Sequence, residues 1–269
     1  MPTPNWIVAN VATGLQDIVA TLEGIANAAK LDPAAVTAFK MSVAIGPSQS
    51  ATVGAPLAVV NGLSNCMVAL YNAIPTLVAD GTGVDPSIAP GLFALCRGLV
   101  AAMAPASAFA AFAAACDAVP DAPPAIVATP NRLADAANAE LIARLTRGVL
   151  IAGYARALIG VTFDARPDAI TARADCVERF ERELSVCQGW LDARWAAELA
   201  KTRDACVSYL SQAIINLKPI RTVSANLSLP SLWWAWRLYQ DPTRAADLIA
   251  RNQVAHASYM PKTFEALAA

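Results

Sequence analysis

The chain holds a single histidine, His256, in 269 residues. A serine or cysteine relay could be built only around that imidazole, and no GxSxG or cysteine-nucleophile context accompanies it. His256 therefore reads as a polar loop residue or an interface contact. Asp164, Asp168, Asp175 and Glu178 lie close enough in sequence to suggest a carboxylate site for a metal or for glycan hydrolysis. They straddle a predicted turn and alternate with Arg166, Arg173 and Arg179, which is the pattern of surface ion pairs. The six cysteines, at 66, 96, 116, 176, 187 and 206, form no CxxC pair and have no neighbouring histidine, so a zinc site is not expected. They read as small buried hydrophobes, with cross-links between subunits open to them in an oxidising medium. Neither GxxxxGK nor GxGxxG occurs. No catalytic residue, cofactor or metal is expected, and the chain reads as a non-enzyme.

The residues left with something to do are aromatic. Trp233, Trp234 and Trp236 crowd into one short stretch, with Tyr239 a turn beyond. As a core they supply the apolar area a small folded unit needs, with indole N–H groups reaching polar edges; as a ligand platform their faces could stack on sugars. Adjacent Trp233 and Trp234 cannot share one helix face, so at least one points to solvent or to another chain. Core plus protein interface is favoured, because exposed aromatics are typical interface anchors. The candidate interface residues are Trp233, Trp234, Trp236, Tyr239, Arg244, Arg251, Asn252, His256 and Tyr259.

The elements around them follow from local signals. Ile220, Thr222 and Ser224 face one way and Arg221, Val223 and Ala225 the other, which predicts a short strand. Pro230 sits in the first turn of a helix to about Tyr239, with Leu229, Leu232, Trp233, Trp236 and Tyr239 on one face. Asp241 caps a second helix that starts at Pro242 and stops at Asn252, and Thr263 to Leu267 reads as a second strand. The order strand, helix, helix, strand makes a small module over 218–269.

Upstream the chain is mainly α, an alanine-rich helical body. Residues 1–118 read as an apolar helical region. Within it, Ile7, Val11, Leu15, Ile18, Val19, Leu22, Ile25 and Ala29 mark an amphipathic helix over 5–29. Asp32 and Pro33 open a second helix through about Ile45, and 46–56 is a loop. Residues 119–130 form a Pro-rich linker, since proline cannot continue a helix. Residues 131–217 form a charged amphipathic helical region. Its first helix carries Leu133, Ala137, Leu141, Leu145, Val149, Ala152 and Leu158 at helical spacing, and FDARPDAIT breaks it from helices at 168–186 and 189–216.

Composition narrows the function classes. Charged residues are 15% against 56% hydrophobic, so burial against partners in a homo-oligomer or assembly is expected. The net charge of −1 and the absence of a basic stripe argue against nucleic acid. The uncharged run 56–79 has the length of a membrane helix, which keeps a membrane-active helical protein as an alternative. Asn61, Asn65, Asn72, Gly62 and Pro75 speak against a span, and membrane contact is not favoured. MPTPNWIVANVATG lacks the early positive charge of a secretory signal, so synthesis and folding in the cytosol are expected.

The tail carries a resemblance. The residues Arg221, Thr222 and Val223; Leu229 and Pro230; Trp236, Arg237, Leu238 and Tyr239; Asp241, Arg244 and Ala245; Ala250, Arg251 and Asn252; and His256, Pro261 and Leu267 resemble the C-terminal region of the DNA circularisation (N) proteins of Mu-like tailed bacteriophages. The resemblance covers about the last fifty residues, and in outline this tail also resembles a LysM-like fold. The family usually has an N-terminal β-rich domain, whereas this chain opens on helices. It also tends to have proline after the histidine, where Ala257 stands here. The resemblance implies a structural virion protein of the viral tail, at the baseplate hub or distal tail tube junction. It would contact the tail tube, central hub or spike as a trimer or hexamer ring. The alternative in the binding class is a peptidoglycan-binding LysM-like tail protein.

Overall fold

The apolar stripe of the first helix is its buried face: Ile7, Leu15, Ile18, Val19, Leu22 and Ile25 are all covered. This helix, α1, is Asn5–Ala28 in the computed structural model. The structure describes residues 5–28, 40–46, 49–54, 68–75, 78, 88–119, 129–187 and 192–268, without the side chains of Asn5 and 40–54. The membrane-length run at 56–79 falls partly outside these residues; within it, 68–75 are helical. Among the described residues no helix is long and apolar enough to cross a membrane.

Where the expected helix to Ile45 and the loop at 46–56 fall on described residues, 40–46 and 49–54, they are corrected by a hairpin; 32–39, 47–48 and 55–56 lie outside the described residues. Strand β1, Lys40–Gly46, pairs antiparallel with β2, Gln49–Gly54. Met41, Val43 and Ile45 alternate with Ser42, Ala44 and Gly46, a period of two that suits a strand.

Calling the helix at 68–75 α2, the body continues with α3, Ile88–Ala102, and α4, Pro105–Ala118. Ile88, Leu92, Leu95, Cys96 and Leu99 bury one face of α3. Pro105, placed at the first turn of α4, breaks the uncharged run 98–116 into two helices. Helix α5, Pro130–Gly160, is capped by Thr129, whose hydroxyl accepts from Arg132 N–H at 3.4 Å. Its C-terminal half carries Val149, Leu150, Tyr154 and Leu158 into the core, while Leu133 and Leu141 on the predicted stripe stay exposed. At Gly153 a Cβ would collide with the Phe112 ring and stand 2.7 Å from Cys96 Sγ, so only glycine lets α3 and α4 close on α5.

Helices α6, Arg166–Val186, and α7, Ala193–Asn216, follow. By packing, the chain divides into two units. One is Met1–Val161 with Arg179–Leu199, and the other is Thr162–Glu178 with Ala200–Ala269. The second unit ends in the expected order: β3, Ile220–Ser224; α8, Ser231–Tyr239; a 3-10 turn, Pro242–Arg244; α9, Ala245–Arg251; and β4, Thr263–Leu267. β3 and β4 pair antiparallel from Ile220↔Leu267 to Ser224↔Thr263. The protein is thus mainly helical with a small two-stranded antiparallel sheet near its C-terminus.

Candidate functional site

The strand-helix-helix-strand region encloses its own core. Trp234, Ala235, Leu248, Met260, Phe264 and Ala266 are buried together, and Val223, Leu229, Leu238 and Tyr239 pack around them. Trp234 meets Phe264 edge to face at 5.0 Å between ring centroids, a favoured aromatic geometry. Loop bonds clamp this core: Ser231 N–H donates to Ala257 O at 2.8 Å, Met260 N–H to Leu229 O at 3.1 Å, and Ser228 Oγ to Met260 O at 2.7 Å.

These bonds fix the rotation of α8, which the sequence left open between Trp233 and Trp234. The inward face is Ser231, Trp234 and Ala235. Of the five residues expected on one face, Leu232, Trp233 and Trp236 look outward, Trp233 45% and Trp236 60% exposed against 9% for Trp234, whereas Leu229 and Tyr239 pack on the core. Trp233 leans on Trp234 edge to face at 4.8 Å, so the outward indole is held from behind. Contrary to expectation, the Trp234 indole N–H is buried without an acceptor.

The other candidate residues separate by role. The Tyr239 hydroxyl accepts from Leu267 N–H at 2.9 Å, and Arg244 lies over the Tyr239 ring at 5.0 Å. Burial is the main cause that raises the Tyr239 hydroxyl above its ordinary pKa, opposed by the bond from Leu267 and by Arg244 and Arg251. Asn252 ends α9 and holds β4, its Nδ2 donating to Leu248 O and Glu265 O, both at 2.9 Å. Asp241 accepts from Thr243 Oγ1 at 2.6 Å and Thr243 N–H at 2.9 Å, which hold its carboxyl below the usual range. Tyr239, Asp241 and Asn252 are therefore committed to closing the fold, Asp241 as the expected cap. His256 and Tyr259 are exposed on the connection to β4, with rings 5.7 Å apart and His256 Nδ1 accepting from Ser258 N–H at 3.3 Å. Arg251 is half-buried at an open depression with Asp168, Asp247 and Glu265. The free apolar surface of α8 is thus Leu232, Trp233 and Trp236, with Tyr259 exposed elsewhere on the same unit. Leu232 was missing from the candidate set, and its spacing before Trp236 was the available signal.

Chemistry has little to draw on elsewhere. Among the described residues no group of three or more His, Cys, Asp or Glu is placed to hold a metal. In the first unit a groove of about 430 Å³ lies among α1, α4 and α5. It is lined by Val11, Ile18 and Ile142 with Asn10 bound to Asp135 at 3.0 Å. Nearby charges pair among themselves: Arg147 bonds Glu183 at 3.0 Å and Arg144 bonds Asp192 at 2.8 Å. No protein-family model matches the chain, and no curated protein matches it.

Proposed function

We propose that this chain is a structural protein of a tailed bacteriophage virion, at the baseplate hub or distal tail tube junction, working through protein–protein contacts. The observation that carries the reading is the outward face of α8. Trp233 and Trp236 have no part in the core that Trp234 fills, and two large indoles left in water are what an interface anchor looks like before its partner arrives. The resemblance of the tail to the Mu-like circularisation proteins supports the phage context. Among its matching residues, Tyr239, Asp241 and Asn252 are explained by folding, whereas Trp236 is not. The apolar composition supports an assembly in which copies of the chain cover one another.

The direct experiment is peptide mapping of purified tailed particles from a host carrying the gene, with a density map of the tail end. The reading expects the chain in the particle, at a fixed ratio to the tail tube subunit. Its absence from particles that are otherwise complete would remove the proposal.

A second reading, peptidoglycan binding, is favoured by the same exposed indoles, which could stack on sugar rings. Its control is Trp236→Ala, since Trp234 is inside the core. Retention of the parent chain on peptidoglycan, and loss of retention in the variant, would establish it.

A further inference from the structure

Cys176 and Cys206 lie on helices whose facing is set by bonds at two other levels. Arg166 N–H, at the start of α6, donates to Lys218 O, just beyond the end of α7, at 3.1 Å. One further pair of turns along, Arg173 Nη1 donates to Ser211 Oγ at 3.2 Å. Facing positions therefore move down α7 as they move up α6, the sense of an antiparallel pair. Continuing that register by three residues sets Cys176 opposite the turn that contains Cys206. Both are fully enclosed, at 0% and 1% exposure, and their thiols are hydrogen-bonded to one another.

The other described cysteines differ. Cys96 Sγ donates to Val149 O at 3.2 Å and Cys187 Sγ to Glu183 O at 3.4 Å. Burial pushes the Cys96 and Cys116 thiols up to about 12, which leaves almost no thiolate near neutral pH. At Cys206 the hydrogen bond from Cys176 outweighs burial and lowers the thiol below its ordinary value.

We propose that Cys176 and Cys206 are a redox modification site, which closes to an intrachain disulfide on meeting a small-molecule disulfide of the glutathione type. The Cys206 thiol loses its proton to water and its thiolate attacks one sulfur of the reagent. One small thiolate leaves and takes up a proton. Cys176, likewise deprotonated, then attacks the Cys206 sulfur of the mixed disulfide, and the second small thiol leaves. Two protein S–H groups are oxidised to one S–S bond, and one small-molecule S–S bond is reduced to two S–H groups. The burial of both sulfurs makes local opening of the helix pair the step that admits the reagent. The product ties α6 to α7 across a loop of about 30 residues, which restricts the unfolded chain. Such a bond would stay open in a reducing cytoplasm and close in an oxidising medium.

The test uses the full reduced chain, held folded with oxidised glutathione, then denatured, alkylated, digested and mapped by mass spectrometry. The expected result is a linked peptide pair containing Cys176 and Cys206, a chain lighter by two hydrogens, and alkylated Cys96 and Cys116. The oxidised chain should melt several degrees higher, and Cys206→Ser should lose that rise. A bond joining other cysteines, a glutathione adduct persisting on either residue, or full alkylation of both after overnight exchange would overturn the proposal. Mapping the unaltered chain decides the matter even if the serine variant folds poorly.

Discussion

The side chain of Asn252 completes the backbone bonding of Glu265 on both sides: its Nδ2 donates to the Glu265 carbonyl at 2.9 Å, and Glu265 N–H donates to its Oδ1 at 2.7 Å. β3 occupies the other edge of β4, so Asn252, with Tyr239 at Leu267, caps the edge that β4 would otherwise leave open. Replacing Asn252 with alanine leaves these strand groups to water and removes the bond to Leu248 O. We expect Asn252→Ala to destabilise the chain by about 1–3 kcal/mol, read from the urea midpoint of the C-terminal transition. A change under about 0.5 kcal/mol would mean that water serves β4 equally well.

The tryptophans should part company on substitution. Trp234 fills the core against Phe264, so Trp234→Ala should destabilise by about 3–5 kcal/mol. Trp236 is exposed within the chain, and Trp236→Ala, melted beside the parent at dilutions where both are dissociated, should stay within about 0.5 kcal/mol of it. Thermal melts of the two variants check both halves. Equal losses would contradict the rotation of α8 described above.

Two shifted groups define a pH window for the C-terminal unit. The Asp241 carboxyl is held low by Thr243, so its contribution is present above the ordinary carboxylate pKa and is lost as pH falls below about 4. The Tyr239 hydroxyl is raised by burial, so its contribution is present below the ordinary phenol pKa and is lost as pH rises beyond about 10. Stability should be level between these limits with respect to both groups. Asp241→Asn should flatten the acid arm and Tyr239→Phe the alkaline arm in urea midpoints measured across pH.

The Arg147–Glu183 pair is nearly covered, with side chains 10% and 13% exposed. Glu183→Gln leaves the Arg147 guanidinium with Glu140 at 3.8 Å as its remaining carboxylate in the described pairing. We expect a loss of about 2–4 kcal/mol. Arg147→Met combined with Glu183→Leu should lose less than the single change, because no charge is then stranded. Chemical denaturation of the three chains makes the comparison.

Local signals made the C-terminal region readable. The caps at Asp241 and Asn252, the proline before Ser231 and the alternation in Ile220–Ser224 each act within a few residues, and β4 falls at Thr263–Leu267 as expected. The phase of α8 was not readable, because it depends on Ala257 and Leu229, which bond the loops from elsewhere in the chain. Leu133 and Leu141 share a stripe with buried Val149, yet periodicity cannot say how far along α5 its neighbours extend. The hairpin at 40–54 escaped because the helix-start signal before it was taken further than its few residues warrant. For the candidate site, the sequence grouped in one stretch residues that close the fold with those left outside it.

The central claim is that the outward indoles of α8 are a protein contact surface, and sedimentation of the purified chain beside Trp233→Ser/Trp236→Ser tests it most directly. The account predicts a parent chain in threes or sixes and a variant that sediments as a monomer with unchanged circular dichroism. A parent chain that stays monomeric at every concentration, or a variant of the same size as its parent, would contradict it.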